Sequence, residues 1–340
     1  MSRGAALTGA LLATLETPAT WPLALATFLV RGGLVVVLVP IVVLPTPVGF
    51  GNIFAPALAS IALGSVSVEL VVASVGAALA IIGWIVLGGW LAAAFEVEAA
   101  WMIAGDADAR SPTASDERSG PPGPMELARP AGTAWLAARI LLARLVAFIP
   151  LAVVLAVGTV RIVLVTYREL TSPLDTSAPV VLRVLRDTPE VIVAVIVAWT
   201  IGEMVSAIAA RRITFAGDGV APALRSSVVT CVRHPLVTLT RFWLPTIVLL
   251  AILIPYAAGA GSAWSAVDAV LDGSSDLPMI GPTVVLFVVL WLVGLVLIAV
   301  VSAWRAAVWT VAEMAREGTF GGSRDRQTGD WRTDRSSATL

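Results

Sequence analysis

Lysine is missing from this chain, and all 22 of its basic residues are arginine. That absence reflects a GC-rich coding sequence and says nothing of mechanism. Cysteine occurs once, as Cys231, so no internal disulfide, iron–sulfur cluster or cysteine-based zinc site can be built within one chain. Histidine also occurs once, which excludes a histidine-rich metal centre and leaves His234 as the only residue that could serve a Ser-His-Asp triad. It lies among arginines, a setting that suits phosphate contact or a solvated helix end better than base catalysis. There is no P-loop, no dinucleotide-binding glycine fingerprint after a strand, and no zinc-protease helix motif. No cofactor or metal site is expected. Nor is nucleic-acid binding, because the arginines are scattered over loops instead of forming a stripe interleaved with aromatics.

Charge is scarce as well. Only 13% of residues are charged against 58% hydrophobic, and mean hydropathy is +0.92; soluble domains carry roughly 25% charged residues. Several apolar runs reach the ~20 residues that cross a ~30 Å hydrocarbon core. The expected fold is therefore an all-α, polytopic membrane helical bundle of about six transmembrane helices, joined by short interfacial amphipathic elbow helices. The candidate spans are Trp21 to Pro45, Leu70 to Phe95, Trp135 to Val165, Glu190 to Ala210, Trp243 to Ala260 and Pro282 to Trp304. No removable signal peptide is expected, since residues Met1 to Pro18 lack the required order of regions.

Arginine placement gives an orientation, because short cytoplasmic loops collect basic residues. Arg110, Arg118, Arg129, Arg139 and Arg144 follow the second span; Arg211, Arg212, Arg225, Arg233 and Arg241 follow the fourth; Arg316, Arg324, Arg326, Arg332 and Arg335 follow the sixth. Segments Thr46 to Glu69 and Gly261 to Gly281 contain no arginine. Both termini are thus expected in the cytoplasm of a multi-pass cell-membrane protein. The weak point is Tyr167 to Pro189, where Arg168, Arg183 and Arg186 fall outside, offset in part by Glu169, Asp175, Asp187 and Glu190.

Trp21, Trp101, Trp135, Trp243, Trp264, Trp304 and Trp309 fall near span ends, as an aromatic belt requires. Pro40, Pro150, Pro245 and Pro255 are read as lying inside spans. Residues 105–132 and the tail 318–340 combine glycine, serine and mixed charge with few large apolar residues, and both are expected to be disordered and cytoplasmic. The glycine- and alanine-rich stretch 50–67 is too short for an ordinary crossing and reads as re-entrant or interfacial.

Three segments share one pattern, an amphipathic stretch that ends in a proline and precedes a span. They are GALLATLETP ending at Pro18 within an interfacial helix over residues 1–20, VVLRVLRDTP ending at Pro189, and SSVVTCVRHP ending at Pro235. In the third, Asp218 is expected to cap a helix from Val220 to His234, within the segment 218–235. Leu224, Val228, Cys231 and Val232 would share one face, and Ser226, Thr230 and Arg233 the other. Such a helix lies in the membrane interface, either as a plain anchor or as a docking element. Arg211, Arg212, Arg225, Arg233, His234 and Arg241 are its candidate contacts to lipid phosphate or to a partner.

Of the ionisable residues within the spans, where each costs ~2.5 kcal/mol or more, two stand out, whereas Arg161 lies nearer the outer surface and can snorkel. At 1.5 Å per residue, Arg31 lies ~15 Å beyond Trp21 and Glu203 ~12 Å from Arg211, both from the cytoplasmic side. Their matched depth permits a buried pair tethering the first and fourth spans, or a polar lining for a substrate path.

The layout of GVAPALRSSVVTCVRHPL after a span ending in Ala209-Ala210-Arg211-Arg212 resembles the six-helix membrane domains attached to bacterial glycerophosphodiester phosphodiesterases, and their stand-alone relatives. That resemblance implies a helical membrane domain across most of the chain and carries over no catalytic residue, because the soluble domain with its metal-binding acids and histidines is missing. The expected function is a non-enzymatic membrane scaffold or accessory protein in envelope or lipid homeostasis. Its partners would be membrane lipids and another membrane or cytoplasmic subunit. The competing expectation is a permease subunit that borrows a separate ATPase.

Overall fold

The computed structural model describes residues 3–38, 64, 67–109, 132–171, 179–272 and 277–329. Among these residues every regular element is helical, and the chain is an all-α polytopic membrane protein. Six helices are long and apolar enough to cross a bilayer: Thr20–Leu38, Val68–Gly105, Ile149–Thr171, Pro189–Ala216, Pro235–Val270 and Gly281–Arg316. The elements are α1 (Arg3–Glu16), α2 (Thr20–Phe28), α3 (Leu34–Leu38), α4 (Val68–Gly83), α5 (Gly89–Ala109), α6 (Thr133–Ala147), α7 (Ile149–Thr171), α8 (Val180–Asp187), α9 (Pro189–Arg211), α10 (Val220–Arg233), α11 (Pro235–Asp272) and α12 (Leu277–Gly329). Three π-helical segments interrupt them, Leu29–Gly33, Trp84–Gly88 and Arg212–Ala216.

Two compact units divide the chain, one made of Met1–Ala6, Ala134–Trp243 and Trp309–Leu340, the other of Leu7–Thr133 and Leu244–Val308. In the first, small residues let helices approach closely. A Cβ on Gly158 of α7 would lie 2.6 Å from Val191 Cγ1 on α9, and one on Gly202 would lie 3.0 Å from the Phe148 ring. Met204, Ile208, Phe242 and Trp309 form the buried centre, with Trp199 and Trp243 packed edge-on against Phe242 at 5.3 and 5.6 Å between ring centroids.

In the second unit α2 packs along α5, and a Cβ on Gly88 would meet Val30 at 3.1 Å. The indole of Trp21 donates to the Thr14 carbonyl (2.9 Å), and that of Trp304 donates to the Leu7 carbonyl (3.3 Å). Both bonds hold α1 in place. Gly32, at φ 106°, breaks the first span within its π-helical segment, a conformation that only glycine adopts without strain.

Several expectations need correction. The third candidate span, Trp135 to Val165, is two helices parted at Phe148; Pro150 therefore sits in the first turn of α7, where a missing amide costs nothing, instead of inside a span. Pro245 and Pro255 do lie inside α11. The tail does not lose its helix at 318: α12 continues to Gly329, because no proline stops a helix already nucleated. Likewise α5 runs on to Ala109. Pro40, the stretch 50–67, most of 105–132 and residues 330–340 lie outside the described residues.

The second and third elbows share one backbone solution. Thr188 (φ −132°, ψ 39°) and His234 (φ −130°, ψ 54°) each precede a proline that opens the next helix. A residue before proline is pushed out of the α region by the ring, which ends the elbow helix there. The first elbow differs, with a short turn between Glu16 and Thr20.

Candidate functional site

Within the first unit the ends of three spans lie close together, and each contributes an arginine. Arg211 closes α9 and is 1% exposed. Arg241 lies in the opening turns of α11, and Arg316 sits beyond Glu313 on α12. With Glu313, Thr230 of α10 and Thr238 of α11, these three arginines line a cavity of about 20 Å³. That volume holds about one water-sized group.

Glu313 is the only carboxylate on the lining and is shared. Arg316 Nη1 lies 3.5 Å from its Oε2, and Arg212 Nη1 lies 3.8 Å from its Oε1. Arg316 also donates to Thr230 Oγ1 at 3.2 Å. Arg241 is within electrostatic range of Glu313 and Arg316, yet among the described residues it makes no hydrogen bond or ion pair. The cavity therefore carries more cationic than anionic charge.

Helix α10 is fastened beside this cluster by two arginines. Arg212 reaches Asp218 Oδ2 through Nε (2.8 Å) and Nη2 (2.7 Å), and Arg139 donates to the backbone carbonyls of Gly217 (3.3 Å) and Asp218. Gly217, at φ 68°, supplies the left-handed turn after the π-helical segment. The helix starts at Val220 as the sequence predicts, but its cap is Gly219. Asp218 binds a guanidinium instead, since a charge-assisted pair outweighs a cap.

The buried face of α10 is made of small and hydroxyl side chains. Ala223 and Ser227 are fully buried, and Thr230 turns toward Arg316, so small residues dock the helix on its neighbours. Val228 and Val232 are 47% and 74% exposed. Cys231 is partly buried between these faces. Burial pushes its thiol up to about 11, while the positive charge of Arg316 pulls the other way.

The sequence candidates thus separate into groups. Arg211 and Arg241 line the cavity, and Arg212 stands beside it, 3.8 Å from Glu313. Arg225, Arg233 and His234 are exposed along α10 and its end, away from it. Glu203 is buried on α9 in the first unit, whereas Arg31 is exposed beside Gly32 in the second. Sequence reasoning missed Glu313, Thr238 and the role of Arg316. Glu313 and Arg316 stand three apart on a helix at the end of an apolar span, a spacing that places both on one face.

At the far end of α9, roughly 30 Å away by helical rise, charge is arranged differently. Arg183 binds Glu169 at 3.1 Å, Arg168 binds Asp187 and lies 3.4 Å from Glu169, and Arg161 binds Glu190 at 3.3 Å. Glu169 is 4% exposed. Of the arginines that weaken the sequence-based orientation, Arg168 and Arg183 are therefore paired where they stand. Comparison with protein-family models, curated proteins and solved structures returns no match.

Proposed function

We propose that this chain is a non-enzymatic scaffold or accessory protein of the cell membrane, with both termini and the arginine cluster on the cytoplasmic side, acting in envelope or lipid homeostasis. The observation that supports this reading is α10. It is fastened to the bundle by Arg212, Arg139 and its small-residue face, yet it leaves Val228, Val232, Arg225, Arg233 and His234 exposed. A rigidly held helix with an apolar edge beside cations suits an anionic membrane surface or a subunit lying on it. Its orientation accords with the pairing of the arginines at the opposite end of α9. The resemblance to the membrane domain of bacterial glycerophosphodiester phosphodiesterases belongs to the same reading and assigns no phosphodiesterase activity.

The test is gentle detergent extraction of the tagged chain, with identification of what co-purifies from wild type and from Val232→Asp. The scaffold reading expects a stoichiometric non-ATPase subunit or tightly held lipid that the substitution removes. A stoichiometric ATPase would replace it with the second reading, a permease subunit. One feature favours that alternative: the π-helical segments of the first two spans adjoin at Gly88 and Val30, with Gly32 broken out of helical geometry. Interrupted spans of this kind form substrate sites in transporters.

A further inference from the structure

We infer that the cavity between Arg211, Arg241 and Arg316 binds one oxygen of a phosphate group whose remaining atoms stay at its mouth. The inference rests on the scaffold reading for its place at the membrane edge and adds the ligand to that reading. Three guanidiniums face one carboxylate around a space for a single oxygen-sized group. Planar guanidinium forks match phosphate oxygens in geometry and charge. Glu313 is already occupied by Arg212 and Arg316, which leaves Arg241 half-buried and without an ion pair among the described residues. A cation held in that state is poised to take an anion.

Size narrows the ligand class. The cavity of about 20 Å³ is too small for a whole phosphate ion, so the group must present one oxygen while the rest stays outside. The side chain of Arg316 is 36% exposed, so it extends from the cavity lining to the surface and offers its guanidinium to an outer oxygen. The three arginines come from the ends of the spans Pro189–Ala216, Pro235–Val270 and Gly281–Arg316, the level at which phospholipid headgroups sit. Exposed Val228, Val232 and Leu236 lie on the adjoining helices, an apolar surface for the attached chains. Phosphate is the shared chemistry; a phospholipid headgroup and a free phosphate are its two sources.

The experiment uses the delipidated full-length chain in neutral detergent. Thermal stability and native mass spectrometry are followed during titration with phosphatidylglycerol, with a phosphate-free glycolipid of equal chain length, and with inorganic phosphate. Phosphatidylglycerol is expected to bind and raise Tm, and the glycolipid is not. Arg241→Gln and Arg316→Gln should each weaken binding about tenfold or more, as loss of a charge-assisted contact does. Arg186→Gln, which removes the same charge from exposed α8, should leave binding unchanged. Glu313→Gln removes the competing carboxylate and should tighten binding, a gain that a misfolded variant cannot give. A response to phosphatidylglycerol alone identifies a headgroup, and a response to inorganic phosphate identifies the free ion; either supports the inference. Equal binding of the glycolipid, equal weakening by Arg186→Gln, or binding of neither phosphate source overturns it. The last result is also what a partner's carboxylate in the cavity would produce. The scaffold reading survives such a failure, because partner capture through Val232 tests it separately.

Discussion

Helices α8 and α10 are built alike and keep company with different charges. Each is a short amphipathic helix that stops at a residue before proline, and each hands over to a membrane-length helix. Around α8, Arg161, Arg168 and Arg183 all have carboxylates of their own in Glu190, Asp187 and Glu169. Around α10, Arg212 is matched by Asp218, but Arg316 shares Glu313 with Arg212, and Arg241 lacks an ion pair among the described residues. The same elbow is therefore used once where its neighbouring arginines are individually paired and once where they share a carboxylate. On the proposed orientation the second faces the cytoplasm, where basic residues collect.

The largest expected effect tests that assignment. In a Cys231→Ser background, a cysteine replacing Arg186 on α8 should react with an impermeant maleimide in intact cells, and one replacing Arg225 on α10 only after permeabilisation. Reversed labelling would invert the protein, and equal labelling of both would remove the contrast between the elbows.

Next comes the stability of the two networks. Arg183→Leu leaves the buried Glu169 carboxylate with only Arg168, and should cost about 3 kcal/mol, the low end for a broken buried pair. Adding Glu169→Gln should recover much of that loss. Arg316→Gln should cost about 1 kcal/mol or less, because Arg212 stays with Glu313 and Arg316 is itself part-exposed. Thermal unfolding of the variants in one detergent compares the two ends, and similar costs would mean that Glu313 depends on Arg316 alone. If proline causes both breaks, Pro189→Ala and Pro235→Ala should each lose about 1 kcal/mol, by similar amounts. A loss at only one elbow would show that tertiary packing sets the other.

Most of the fold was legible in the sequence. Span number follows from apolar length, and the elbows follow from proline, whose effect on the preceding residue is local and reads the same at Thr188 and His234. The split at Phe148 was not legible, because apolar residues dominate the run from Trp135 to Val165 on both sides of it and Pro150 reads equally as a kink inside one span or as the first turn of a new helix. Half of the site was legible too. Arg211, Arg212 and Arg241 stood out as cations at span ends, but their convergence with Glu313 and Arg316 joins segments far apart in the chain. The docking residues of α10 were not legible for a related reason: hydrophobic periodicity marks Val228 and Val232, which stay exposed, whereas close packing in a membrane protein selects Ala223 and Ser227.

The smallest expected effect concerns Cys231, which reports on α10 from within. Its thiol, held up to about 11 by burial, should react slowly with iodoacetamide at neutral pH, and the rate should climb about tenfold per pH unit past 9 without levelling off there. The sign for stability follows from the same shift. The neutral thiol is favoured in the folded chain, so its contribution is complete below the usual value of 9.0 and is lost as pH rises from there through about 11. Arg316 opposes burial by favouring the thiolate, so Arg316→Gln should slow the reaction further at every pH below the plateau. A rate that levels near 9 in wild type would place the thiol in water. A rate indifferent to Arg316→Gln would show that this guanidinium does not reach α10, and would separate the cation cluster from the helix that the comparison joins to it.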